Sequence, residues 1–223
     1  MTQIDPLAQY RKEIDRIDEQ FLELLSKRGQ IALEVGQAKR SQKADLYDPS
    51  REKRIYDRLA KLNQGPFDMQ TISLIFREII SASHALQEPI KVAYLGPKAT
   101  FTHLACLAHF GASVTDRAVA SIKEVFHEVE KGLSDFGVVP IENSTEGVVT
   151  RTLDLFAESP LNIFGEIVLD VTHHLLSKAK TLADVKQVYS HSQAIGQCKH
   201  FLDENLPDVI LNSVSSTAKA AEL

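Results

Sequence analysis

The chain has 223 residues, 43% of them hydrophobic and 25% charged, with a formal net charge of -5. That is room for two domains of ordinary globular composition, and the acidic balance argues against a partner whose phosphates must be neutralised, whether nucleic acid or a membrane surface. No N-terminal segment reads as a signal peptide and no apolar run reaches the ~18 residues of a membrane span, so a cytoplasmic protein is expected.

From residue 6 to 42 one helical pattern runs without a break. Leu7, Ile14, Phe21 and Val35 follow a heptad, interleaved with Tyr10, Ile17, Leu24, Ile31 and Ala38, which predicts a helix of roughly 50 Å with one apolar seam. Asp5 and Pro6 start it as cap and first-turn residues. A second helix opens at Asp48-Pro49-Ser50 and runs through Ile55, Leu59 and Leu62 to a stop at Gly65-Pro66. Asp68 caps a third, with the stripe Ile72, Phe76, Ile79 and Ile80, ending before Pro89. Three helices of such unequal length cannot cover their own seam, and a homodimer is the simplest remedy.

At Ile90 the period changes to short strands alternating with helices, the pattern of an α/β domain with parallel pairing. Ile90 to Leu95 reads as a strand, Gly96 to Thr100 as a turn, and Phe101 to Phe110 as a helix. Ser121 and Glu124 suggest a capping box for a helix ending at Gly132. Phe136 to Ile141 is the next expected strand, followed by a loop from Glu142 to Gly147 and a helix through Leu153 and Phe156. Ile163 to Leu176 is strand-like, and Leu182 to Leu223 gives helix, strand, helix and strand before a final helix. The expected domains are residues 1–88 and 89–223, without a long flexible linker. Cys106 and Cys198 lack metal-ligand spacing and are expected to be reduced, buried small residues.

The polar residues that break the helical pattern are Arg28, Lys39, Asp48, Arg51, Glu52, Ser83 and Gln87. Arg28 stands where the seam demands an apolar side chain, and an unpaired charge there costs several kcal/mol, so it wants an anion. Arg28 and Lys39 lie about 16 Å apart along the axis, nearly on one face, and their long side chains can converge on a small ligand. For Asp48, Arg51 and Glu52 taken alone, a solvated helix face with local ion pairs competes with a site.

With Arg11, these residues carry a resemblance: the first 88 residues are similar to the all-helical chorismate mutases, an intertwined dimer of three-helix chains. The resemblance implies the rearrangement of chorismate to prephenate. It places the two substrate carboxylates on Arg11, Arg28 and Arg51, the ether oxygen on Lys39 and Gln87, and the ring hydroxyl and nearby carboxylate with Asp48, Glu52 and Ser83. The reaction needs no acid, base, nucleophile, metal or cofactor. It needs confinement of the flexible enolpyruvyl group and donors where negative charge develops.

Residues 89–223 resemble the catalytic domain of prephenate dehydratases, a two-lobed, periplasmic-binding-protein-like α/β fold. The matching stretches are Gly96 to Thr102, Pro140 to Ser144 with Gly147, His173 before Leu175-Leu176, Ser190 to Ala194, and Ser216 to Ala218. The implied pocket residues are Thr100, Phe101, Thr102, Glu142, Asn143, Ser144, His191, Gln193, Ser216 and Thr217; each alone also reads as turn and cap chemistry. His173 and His174, adjacent on an expected strand, would point to opposite faces and do not share a metal ion easily. The family usually has Gly where Ala99 stands, and if that position requires positive φ the methyl group costs about 1 kcal/mol or more; it usually has Pro where Ser192 stands.

The family's catalytic Thr-Arg-Phe motif and its phenylalanine-sensing domain would fall beyond Leu223. On that reading the dehydratase portion is C-terminally incomplete, and the 223 residues are expected to make prephenate without carrying it on to phenylpyruvate. The rival from another class is a non-catalytic aromatic-acid-binding module dimerised by a helical coiled coil. Arg28 discriminates, since a pure coiled coil prefers Ile or Leu at that position.

Overall fold

The computed structural model describes residues 6–42, 47–143 and 147–223. Asp5 and Ser144, expected as a helix cap and a pocket residue, lie outside the described residues. The chain forms two compact units: Met1–Ile90 with Phe110–Val114, and Lys91–His109 with Thr115–Leu223.

The first unit is helical, with α1 (Pro6–Gln42), α2 (Pro49–Leu62) and α3 (Met69–Gln87). The predicted caps close their helices: the Asp48 carboxylate accepts the Arg51 N–H at 3.0 Å, and Asp68 accepts that of Thr71 at 2.7 Å, each satisfying a donor that the first turn would leave bare. α1 packs on α3, burying Ala32 and Gly36. Gly36 is small because α3 comes close: a Cβ there would lie 2.9 Å from Cγ and 3.3 Å from Cα of Gln87. Towards its N-terminus α1 leaves the seam bare, with Leu7, Ile14 and Leu24 61%, 57% and 65% exposed.

The second unit begins with β1 (Lys91–Leu95), α4 (Phe101–Phe110, whose last residue belongs to the first unit), β2 (Thr115–Val119), α5 (Ile122–Glu130) and β3 (Phe136–Val138). The three strands form a parallel sheet in the order β2-β1-β3. Val92, Ala93 and Tyr94 of the central strand are fully buried, as expected where helices cover a parallel sheet. Next come the two-residue strands β4 (Glu142–Asn143) and β5 (Gly147–Val148), which pair antiparallel, and α6 (Thr150–Glu158). A second parallel pair is made by β6 (Gln187–Ser190) and β7 (Ile210–Ser213), with α7 (Ser192–Gln197) and α8 (Lys199–Asn205) between them and α9 (Thr217–Glu222) after.

Three expectations need correction. The strand β2 was not foreseen, because Asp116 and Arg117 interrupt its apolar alternation; both are spent in ion pairs, Asp116 with His103 at 3.3 Å and Arg117 with Glu128 at 3.1 Å. The strand expected over Phe136 to Ile141 stops at Val138, and Pro140 has no N–H to extend a ladder. Ile163 to Leu176 is not a strand: its apolar composition suits a sheet, but among the described residues no neighbour pairs with it, and Val168 and Leu176 are 83% and 81% exposed. Ser121 and Glu124 do work as a pair at the start of α5, although the Glu124 carboxylate accepts from Ala120 N–H, one residue before the cap. Cys106 is buried and Cys198 half-buried, both as free thiols. Among the described residues no helix is long and apolar enough to cross a membrane.

Candidate functional site

In the helical unit the pattern-breaking residues gather where α1 crosses α3 beside the start of α2. The half-buried Arg28 donates from one guanidinium nitrogen to Ser83 Oγ and, at 3.3 Å, to the Ile79 carbonyl. These partners are neutral, and among the described residues no carboxylate lies within ion-pair distance of Arg28 or Arg51. The Arg28 pKa is held below its ordinary value by burial and then by the charge of Arg51. A half-buried guanidinium that feels a second, exposed one instead of a carboxylate suits an anion.

Ser83 is buried, and its hydroxyl donates to the Ile79 carbonyl at 2.6 Å, so it holds the Arg28 guanidinium as much as it faces any ligand. Gln87, one turn later, donates from Nε2 to the Ser83 carbonyl at 3.3 Å, while its buried Oε1 has no hydrogen-bond partner among the described residues. A buried amide oxygen left unpaired is uncommon and marks a place where a polar group is missed. On α2, the Asp48 carboxyl is held below the usual range by hydrogen bonds from Ser50 and the Arg51 N–H, and then by Arg54 and Lys39, against the opposing effect of desolvation. Asp48 is therefore as much a cap as a ligand group. Glu52 faces His84, 3.2 Å away. Arg11 stands apart: along α1 it lies about 25 Å from Arg28 at 1.5 Å per residue.

The Gly36 contact makes this crossing sensitive to volume. Gly36→Ala is expected to push Gln87 or α3 aside, costing about 1–3 kcal/mol of stability as overpacked cores do. The midpoint of thermal unfolding should fall by several degrees. An unchanged melting temperature would mean that the crossing has room to give.

In the α/β unit the candidates follow the carboxyl ends of the parallel strands: Gly96 to Thr102 after β1, Glu142 after β3, His191 after β6 and Ser216 after β7. That is where open α/β sheets present ligand-binding loops. Four side chains are joined there. Gln197 Nε2 donates to Asn143 Oδ1 at 3.1 Å, the Gln197 Oε1 meets His173 Nε2 at 2.6 Å, and the His173 ring stands edge-on to Phe101 at 5.9 Å. An amide oxygen only accepts, so His173 Nε2 carries the proton in this contact. Asn143 and Phe101 were expected in a pocket. Gln197 was not, because it reads as one more helical residue before Cys198; His173, expected on a strand, is instead held by this glutamine.

Other candidates are spent locally. Thr100 Oγ1 lies 2.9 Å from the Pro97 carbonyl, His191 Nδ1 accepts the Gln193 N–H, and the buried Ser216 accepts that of Lys219 at 2.9 Å, which is turn and cap chemistry. Glu142, Thr102 and Thr217 have no hydrogen bond from their side chains among the described residues. The loop after β1 is fixed from below. Ala99 has φ 64, so the methyl group does sit in the left-handed region, and its N–H donates to His103 Nδ1 at 3.1 Å. Nδ1 is thereby the acceptor, and Nε2–H faces Asp116. Asp116 also accepts the buried Tyr94 hydroxyl at 3.2 Å, whose pKa is pushed up to about 12 by burial and by that carboxylate. Thr152, fully buried, donates to the Pro140 carbonyl at 2.7 Å and anchors the stretch before Glu142.

These features define a two-unit protein, an all-helical unit that gathers cations and an α/β unit with side-chain clusters at its strand ends. Family models match both parts, chorismate mutase type II over residues 10–88 and prephenate dehydratase over residues 92–223. The chain belongs to the prephenate dehydratase family and carries a chorismate mutase type II domain ahead of the family's α/β domain. It is 47% identical over 99% of its length to the bifunctional chorismate mutase/prephenate dehydratase of Aquifex aeolicus, and 44% identical over 100% of its length to the enzyme of that name from Stutzerimonas stutzeri. The chain spans 62% of the length of either relative. Among solved structures it is similar to the prephenate dehydratase of Arthrobacter aurescens in complex with L-Phe, with 33% identity and a TM-score of 0.52, over 60% of this chain and 45% of that one.

Proposed function

We propose that the helical unit rearranges chorismate to prephenate in the cytoplasm, as part of phenylalanine biosynthesis, and works as a homodimer through its N-terminal helices. The α/β unit is a prephenate dehydratase portion that takes the product. The observation that carries the mutase reading is that Arg28, joined to Ser83 and through it to Gln87 on stripes that packing alone would fill with aliphatic side chains, has the charge of Arg51 nearby and no carboxylate among the described residues to neutralise it. Chorismate is a dianion, and its two carboxylates answer the charge that the fold leaves uncompensated.

The residues then divide by what changes along the reaction. Arg11, Arg28 and Arg51 bind carboxylates that stay charged throughout, so they contribute mainly to binding. Lys39 and Gln87 are assigned to the ether oxygen, which gains negative charge as its bond breaks, so they act on the barrier. Asp48, Glu52 and Ser83 hold the ring hydroxyl and the carboxylate next to it, which fixes the reactive conformer. The homodimer is supported by the exposed apolar seam from Leu7 to Leu24, since contiguous exposed apolar surface marks an interaction site, and by the distance that separates Arg11 from the rest. In the α/β unit Asn143, Gln197, His173 and Phe101 are the residues assigned to prephenate.

The test is purified protein supplied with chorismate, followed by loss of chorismate absorbance and then for prephenate and phenylpyruvate. Chorismate should be consumed and prephenate should form; chorismate left at its spontaneous rate of loss would overturn the mutase reading. Phenylpyruvate above its spontaneous rate would assign turnover to the α/β unit as well.

A further inference from the structure

We propose that His84 is a positioning residue of the mutase site: it fixes the Glu52 carboxylate in the orientation that receives the substrate hydroxyl. This rests on the mutase reading above, and on a contact that lies outside the resemblance and outside the residues assigned to substrate. His84 Nε2 stands 3.2 Å from Glu52 Oε1, bridging α3 to α2, with both side chains largely shielded at 16% and 20% exposure. Among the described residues this imidazole is the hydrogen-bond partner of the Glu52 side chain. A carboxylate only accepts, so the nitrogen facing it carries the proton. The bond occupies Oε1 and leaves Oε2 to turn towards a ligand.

The imidazole is itself held. The Tyr47 ring packs against it at 5.4 Å and 51°, and Tyr47 in turn packs on Phe110 at 6.2 Å. The Glu52 charge is felt on the same side: burial first, and then the Glu52 carboxylate, raise the hydroxyl pKa values of both Tyr47 and Tyr56. Glu52 is thus a carboxylate in a partly apolar setting with one fixed donor, and without that donor its flexible side chain would have to be ordered by the substrate. His84 also follows Ser83 directly and precedes Gln87 by one turn, so the turn of α3 that carries two pocket residues is tied to the start of α2.

The test is a double-mutant cycle on the full chain, read as KM and kcat for chorismate, with His84→Ala, His84→Gln, Glu52→Ala and the double variant Glu52→Ala/His84→Ala. Since a hydroxyl contact is made in ground and transition states alike, His84→Ala should raise KM by about three- to tenfold with little change in kcat. His84→Gln, whose amide can still donate to Glu52, should restore most of the loss. In the Glu52→Ala background, removing His84 should do nothing further to KM. If the two losses multiply instead, or if glutamine fails to rescue, His84 is only a packing residue and the proposal is overturned. Should His84→Ala not fold by circular dichroism, the same cycle run with His84→Gln and His84→Val decides between the two outcomes. An unaltered chain that leaves chorismate untouched would remove the mutase reading and this proposal together, whereas turnover with an additive cycle removes the proposal alone.

Discussion

If the helical unit acts as proposed, Lys39→Ala is expected to lower its turnover of chorismate by about two to three orders of magnitude, the loss of roughly 2.7–4 kcal/mol that follows removal of a donor aimed at developing charge. The argument rests on timing. The carboxylates of chorismate carry their charge before, during and after the rearrangement, but the ether oxygen gains it only as the bond breaks, and interactions present only there raise kcat. Lys39 lies on the α1 face shared with Arg28, close enough to Asp48 to lower its carboxyl pKa together with Ser50, the Arg51 N–H and Arg54. Ser83→Ala should cost about tenfold or less in turnover, and more in KM, since the Ser83 hydroxyl holds the Arg28 guanidinium and the Ile79 carbonyl remains to hold it when the hydroxyl is gone. Equal losses in kcat for the two variants would sink this division of roles.

The helical unit was legible because each of its signals is local. Asp48 and Asp68 announce their helices by a side-chain oxygen that reaches the backbone three residues on, and the heptad from Leu7 to Val35 needs only the spacing of one chain. Arg28 stood out for the same reason, as a charge at a position whose neighbours define an apolar row. The α/β unit is legible where helices set the pattern and less so where pairing does. Thr115 to Val119 escaped notice because Asp116 and Arg117 meet their partners, His103 and Glu128, only once α4 and α5 have folded over the sheet. Ile163 to Leu176 has the composition of a strand, but a strand exists by virtue of its neighbour. Gln197 and His84 were missed on different grounds: neither breaks its helical pattern, and each is set apart only by a partner, Asn143 or Glu52, that lies 54 or 32 residues away in the chain. Ala99 is the converse case: its residue type gives no sign of a left-handed backbone, and the family's usual glycine at that position raised the condition that the structure meets, with φ 64.

On the mutase reading, mixing two impaired variants, Arg11→Ala with weakened binding and Lys39→Ala with slowed turnover, should regenerate activity at chorismate concentrations below the wild-type KM. On one α1 helix the two residues lie about 42 Å apart at 1.5 Å per residue, so no small dianion can be gripped by both in a single chain. The exposed seam between them supplies the remedy. If a second α1 runs antiparallel along Leu7, Ile14 and Leu24, its Arg11 is carried back towards the cluster of Arg28, Lys39 and Arg51, and each pocket is completed by the partner. In the mixed dimer, the protomer with intact Lys39 receives an intact Arg11, and the other pocket collects both lesions. With random exchange of equal amounts, half of the dimers are mixed and half of their pockets are whole, so about a quarter of wild-type activity should return in a two-fold symmetric assembly. Mass spectrometry of differently tagged chains establishes that exchange has taken place. Exchange without recovery would place Arg11 outside the pocket and leave the bare seam to be explained by association alone.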